Sequence, residues 1–145
     1  MIYKASEISN YILSYANLNE KLISNFKLQS LLYFIQVHYL STKGFPCFED
    51  EIIMSEIGPI IPEVYDKYSI YNSASIYQER ANYHIEMIDK IKINEALEFL
   101  IQYPANVLQN ISLNQLPCLS TLIGQEITHD KIIAYFKEEA TNEKE

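Results

Sequence analysis

The sequence has no tryptophan, only three glycines, two cysteines and a single arginine, Arg80, among its 145 residues. Each scarcity excludes a chemistry. With so few glycines, neither GxxxxGK[ST] nor GxGxxG can be written, so phosphate-cradling loops of those kinds are absent. Cys47 and Cys118 are isolated from each other and from any second cysteine, which removes CxxC redox chemistry and cysteine zinc knuckles. His38, His84 and His129 have no second ligand at i+3 or i+4, so helix-mounted metal spacing is missing and no metal or cofactor is expected. Nucleic-acid binders need cations to displace phosphate counterions and arginine to read base edges. Eleven Lys and Arg against 19 Asp and Glu, a net charge of −8, argue against direct DNA or RNA binding. No apolar run approaches the ~20 residues of a membrane-spanning helix. The first residues do not show the basic-then-apolar pattern of a secretory signal, so the expected compartment is the cytoplasm.

What is present is a hydrophobic fraction of 48% that includes 12 tyrosines. A chain of this length buries roughly 68–70% of its unfolded surface, enough for one core without staples. We expect one domain over residues 1–140, followed by an acidic polar tail at 141–145. The periodicity is mainly helical: a compact bundle of about five to seven helices, with room for a small β-hairpin before a Gly-Pro turn. Ile8, Tyr11, Ile12 and Tyr15 recur at i, i+3, i+4, i+7 and predict a first helix over 5–17. Ser24 and Asn25 are capping residues for a second, which runs to Lys43 and stops at Gly44 and Pro46. That helix is apolar on most sides. Leu28, Leu32 and Ile35 are assigned to the core, whereas Tyr33 and Val37 occupy the other face, part of which is expected to meet a partner.

Between 45 and 61 the period changes, suggesting short extended pieces. Gly58-Pro59 marks a turn, and Pro62 followed by Glu63 suits the first turn of a third helix reaching Tyr71. Asp89 is a plausible N-cap for a later helix, with Ile88 and Ile93 at the positions of a hydrophobic staple. A weak strand is considered around 83–87. Two short helical pieces follow over 105–111 and 115–122. A last helix starts at Thr128, with Ile127 and Ile132 as staple partners, and its polar end beyond Ala140 is expected to fray.

The charge is unevenly spread. Residues 46–66 hold six acids and no base: Glu49, Asp50, Glu51, Glu56, Glu63 and Asp66. With Tyr65 and Tyr68 on the third helix, they make an aromatic and acidic segment, a composition suited to a protein interface and most easily met by a basic partner. The plainer alternatives are a solvated acidic edge and tyrosines that belong to the core.

Two ordered motifs extend the reading. The stretch 25–36, Asn-Phe-Lys-Leu-Gln-Ser-Leu-Leu-Tyr-Phe-Ile-Gln, resembles the KLQKLLYFAQ helix of the SocA-like antitoxin family, whose domain is also called Panacea and occurs in phage-associated proteins. Residues 45–52 resemble that family's GxPLFDEEI segment, and 58–68 its GPVVPEVYEKY segment. The end of the chain, from Gly124 through Phe136, resembles the family's last helix, so the likeness spans about residues 5–137. Ser55 and Cys118 stand where the family has tryptophan, and 112–115 replace its Thr-His element.

The resemblance implies an antitoxin of a toxin–antitoxin system, which binds a cognate protein toxin. Direct neutralisation is one implied mode, and delivery of the toxin to a Clp-type protease is another. A phage accessory protein acting on a host regulator is a third possibility. Under this reading Tyr33, Val37, Glu49, Asp50, Glu51, Glu56, Glu63, Tyr65, Asp66 and Tyr68 are partner-binding candidates. Gly58, Pro59 and Pro62 set the turn geometry, Leu28 and Leu32 are core, and Gln29 either bonds buried backbone or meets the partner. No catalytic constellation is recognised. An enzyme site assembled only in three dimensions, for example from His38, Glu56 and Asp66, is the minor alternative.

Overall fold

The computed structural model describes residues 2–77 and 82–144, with side chains through residue 137. Among the described residues the chain forms seven α-helices and one two-stranded antiparallel hairpin. The order is α1 (Ala5–Leu18), α2 (Asn25–Lys43), β1 (Ile53–Ser55), β2 (Gly58–Ile60), α3 (Pro62–Tyr68), α4 (Met87–Leu100), α5 (Ala105–Leu113), α6 (Leu116–Leu119) and α7 (His129–Lys144). A 3-10 turn, Ser69–Tyr71, extends α3, so the third helix ends its regular part earlier than the tyrosine pattern predicts.

α2 is the axis of the fold. The Ser24 hydroxyl accepts from the Lys27 N–H at 3.2 Å and satisfies one of the donors left free at the helix start. Gly44 ends the helix with φ +79°, in the left-handed region where a side chain would be strained. Between these caps α2 packs against α1, α3, α4, α5, α7 and β2. It therefore buries residues all round its circumference: Leu28, Leu32 and Ile35 on one side, Tyr33, Val37 and Leu40 on the other. A helix greasy on both faces is surrounded by its own chain here.

β1 is flanked on both sides. Its register with β2 pairs Ile53 with Ile60, Met54 with Pro59 and Ser55 with Gly58. On its other side the Gly124 N–H donates to the Met54 carbonyl at 2.7 Å, the Met54 N–H to the Gln125 carbonyl at 2.9 Å, and the Ile127 N–H to the Ile52 carbonyl at 2.8 Å. The chain entering α7 thus acts as a third, irregular edge. Thr128 caps α7, its hydroxyl accepting from the Lys131 N–H at 3.2 Å, and Ile127 and Ile132 are both buried as the staple requires.

Two local expectations are corrected. α4 starts at Met87, which puts Asp89 inside its first turn; Ile88 is exposed, and no Ile88–Ile93 staple forms. Residues 82–86 are irregular, without a strand; the expected excursion also covers 78–81, which lie outside the described residues. The α7 backbone is helical to Lys144.

Asp89 is instead the centre of a buried polar knot. Its carboxylate accepts from the Tyr3 hydroxyl at 2.6 Å and the Tyr39 hydroxyl at 2.8 Å, joining the N-terminal segment, α2 and α4. Burial and then the hydrogen bond to this carboxylate push Tyr3 up to about 12 and raise Tyr39 further.

Candidate functional site

The hairpin and α3 form the face that carries the acidic segment, and α2 positions it through two glutamines seven residues apart. Such spacing puts both side chains on one face of a helix. Gln29 Oε1 accepts from the Ile61 N–H at 2.8 Å, while its Nε2 donates to Asn25 Oδ1 at 3.0 Å; Asn25 Nδ2 in turn donates to the Tyr65 carbonyl at 3.0 Å. Gln36 Oε1 accepts from the N–H groups of Cys47 and Phe48 at 2.8 and 3.2 Å, and its Nε2 donates to the Phe48 carbonyl at 2.8 Å. All three side chains are buried. The segments entering and leaving the hairpin are therefore fixed by main-chain hydrogen bonds to the helix behind them. For Gln29 this selects the backbone-bonding role over contact with a partner.

The hairpin turn is tied as well. The Ser55 hydroxyl donates to the Gly58 carbonyl at 2.6 Å and accepts from the Ile57 N–H at 3.3 Å. The Gln109 amide on α5 donates to the Ile57 carbonyl. Gly58 adopts φ +111°, a conformation that side-chain-bearing residues rarely take, and Pro59 beside it is buried. Pro62 occupies the first turn of α3, as its missing N–H favours.

In front of this scaffold lies an open groove of about 430 Å³. Five apolar residues, Ile53, Met54, Ile57, Ile60 and Ile123, line it together with Ser55, Glu56, Gly124 and Tyr65. Leu119 and Leu122, which precede Ile123 in the chain, are also exposed. A second, more polar concavity on the other side of Tyr65 is lined by Asn25, Phe26, Ser69, Asn72 and Ser73.

The partner-binding candidates separate on this map. Glu49, Glu51, Glu56, Glu63 and Asp66 are exposed, and Tyr65 is half-buried at the groove. Tyr33, Val37 and Tyr68 are not surface residues. Tyr33 is fully enclosed, its hydroxyl donating to Gln115 Oε1 at 2.8 Å, and burial drives its ionisation well above the ordinary tyrosine range. Val37 and Tyr68 are also buried among helices, so none of the three offers area to a partner in this fold. Asp50 is half-buried and already engaged, accepting from the Ala5 N–H at 2.7 Å and so capping α1 from 45 residues away. The six acids consequently lie on separate elements: the loop before β1, the hairpin turn and α3.

Sequence reasoning missed Asn25 and Gln36 as anchors, and took Asp89 for a cap. The available signal was the pair of glutamines at matching positions in an otherwise apolar helix. Cys47 and Cys118 are both buried thiols; burial pushes Cys47 up to about 12 and Cys118 up to about 11, which keeps them protonated and poor nucleophiles. His38 Nε2 lies 2.9 Å from Glu95 Oε2 on an exposed face, partnered with neither Glu56 nor Asp66. No histidine lines either concavity described above. Among the described residues no group of three or more His, Cys, Asp or Glu is placed to hold a metal ion, and no described helix is long and apolar enough to cross a membrane.

The fold and its groove define a small, mainly helical domain that presents a rigid hairpin face. The protein-family model for the antitoxin SocA-like Panacea domain matches residues 28–139, from α2 into α7, and the chain belongs to this antitoxin-like family. α1 precedes the matched region. No curated protein and no solved structure matches the chain.

Proposed function

We propose that this protein is a non-enzymatic antitoxin that neutralises a cognate protein toxin by direct binding through the hairpin face. The observation that carries the reading is the groove: an apolar lining on a backbone fixed from behind, together with Tyr65 and Glu56, in a member of an antitoxin family. Neutralisation by occlusion requires a preformed surface with a few anchors, because ordering a mobile surface on binding subtracts from affinity. The anchors here are Tyr65 and the exposed apolar residues around Ile123, with the exposed acids as a charged surround. Tyrosine supplies contact area at low entropic cost. A basic toxin surface suits the −6 charge of residues 46–66, and the acids then govern mainly the association rate.

The test is genetic and then biochemical. The product of the adjacent gene is expressed alone, with this protein, and with its Tyr65→Ala variant. Growth arrest by the neighbour, relief by the wild type and at least tenfold weaker complex formation by the variant are the expected results. A neighbour that is harmless alone, or still toxic in the presence of this chain, refutes the antitoxin role. The toxin's half-life separates the two modes: unchanged stability in the complex supports occlusion, and accelerated loss supports delivery to a protease.

A further inference from the structure

The groove has a chemical bias that the antitoxin reading does not itself specify. Five apolar side chains line it, its one charged group is the carboxylate of Glu56, and no lysine, arginine or histidine lines it. Tyr65 lines it as well. Glu63 and Asp66, both exposed, lie on the same short helix as Tyr65, and that helix's one cation, Lys67, is turned onto the Tyr68 ring at 5.2 Å. An occupant therefore meets an apolar trough, the Tyr65 side chain and the Glu56 carboxylate together.

That combination matches the anatomy of arginine and lysine. Their methylene stems lie along apolar surface while the charged head seeks a carboxylate or an aromatic face. Arginine does both especially well, because its planar guanidinium stacks and is weakly hydrated. The volume of about 430 Å³ lies within the range of ligand-sized grooves, roughly 300–1,000 Å³, and holds more than one side chain.

We infer that this groove takes a short segment of a partner protein in which an arginine or lysine sits beside an apolar residue. The apolar neighbour rests on Ile57, Ile60 and Ile123, and the cation bridges Glu56 and Tyr65. This deepens, and rests on, the reading of the hairpin face as the toxin-binding face. A second copy of this chain is a poor occupant, since each copy carries a net charge of −8.

Random-peptide display on the immobilised full-length protein tests the inference without a toxin. Three baits are used: wild type, Glu56→Lys and Ile123→Asn, the last removing an exposed apolar side chain that lines the groove, each shown to be folded by circular dichroism. Wild type should enrich peptides with Arg or Lys next to Leu, Ile, Phe or Met. Glu56→Lys should recover those peptides at least tenfold less and shift selection toward Asp and Glu, whereas Ile123→Asn should recover them at least fivefold less. The inference is overturned by acidic or uncharged consensus peptides on wild type, by no enrichment above bare support, or by the same peptides recovered undiminished on Ile123→Asn. It is also overturned if sedimentation shows a dimer that Ile123→Asn weakens, since a second copy then fills the groove. Failure here with successful rescue of growth removes the groove chemistry and leaves the antitoxin role. Cationic selection without rescue removes the antitoxin role alone.

Discussion

Replacing Gln29 by leucine is the sharpest test of how α2 holds the hairpin face. Leucine approximates the volume of glutamine, so no large cavity opens, and the change isolates hydrogen bonding. It leaves the Ile61 N–H without its acceptor and Asn25 Oδ1 without its donor, and both residues are almost completely buried. A buried donor left unpaired costs about 1–3 kcal/mol, and the second orphaned atom adds to this. Added apolar burial by leucine offsets part of the loss, so the net destabilisation is about 2–3 kcal/mol. That is a large share of the roughly 5–15 kcal/mol typical of a folded domain, and corresponds to a fall in Tm of about 5–10 °C. Urea unfolding followed by circular dichroism measures the free energy, and amide exchange locates it. The Ile61 amide should lose protection well before amides in the middle of α2. Exposed Glu51→Gln serves as a control and should stay within about 0.5 kcal/mol of wild type. If Gln29→Leu matches that control and the Ile61 amide remains protected, the glutamine is not what fixes the segment.

Two further outcomes follow from the same geometry. Asp50→Ala should cost about 1 kcal/mol through loss of the α1 cap, while Glu49→Ala and Glu51→Ala, both exposed, should be close to neutral in thermal melts. The alkaline limb of stability is set by groups whose folded ionisation is raised by burial: Cys47 to about 12, Cys118 to about 11 and Tyr3 to about 12, from ordinary values of 9.0 for the thiols and 10.0 for tyrosine. In the unfolded chain they release protons first, so their stabilisation is complete below pH ~9 and is lost progressively toward pH ~12. Urea midpoints should be insensitive to these groups at pH 7–8 and fall above pH 9, and neither thiol should react with a thiol reagent at pH 8 until the protein unfolds. Rapid native-state labelling would contradict that burial.

Much of the architecture was legible because local chemistry and tertiary structure agree. The Ser24 cap, the Gly44 stop, Pro62 at the start of α3 and the Thr128 cap each place a boundary within a residue or two of where it lies. The tyrosines were less legible. Tyr33 and Tyr65 carry the same side chain and both sit on helices, yet one is enclosed in the axis of the fold and the other lines a groove; the positions of the surrounding elements decide which. Asp50 and Asp89 show the same limit for charge. Asp50 reads as one of a solvated run and caps a helix distant in sequence, and Asp89 reads as a cap and is held by two tyrosine hydroxyls from other elements. Long-range partners of polar groups leave no periodic trace. Gln29 was the exception, since a polar side chain beside an apolar helix core needs a buried partner; Gln36, seven residues on, carries the same signal and was not read.

Toward the loop and hairpin, those glutamines address only main-chain atoms: the N–H groups of Cys47, Phe48 and Ile61 and the carbonyl of Phe48. Every residue except proline offers the same N–H, so the clamp is indifferent to which side chains the intervening loop and hairpin display. Exchanges at exposed Glu51 and Glu56, or at half-buried Ile53 and Ile57, change the displayed surface and leave its attachment untouched. Display and attachment are thereby assigned to different atoms of the same segment, so under the proposed function the face can be rewritten for a new partner without renegotiating the scaffold behind it.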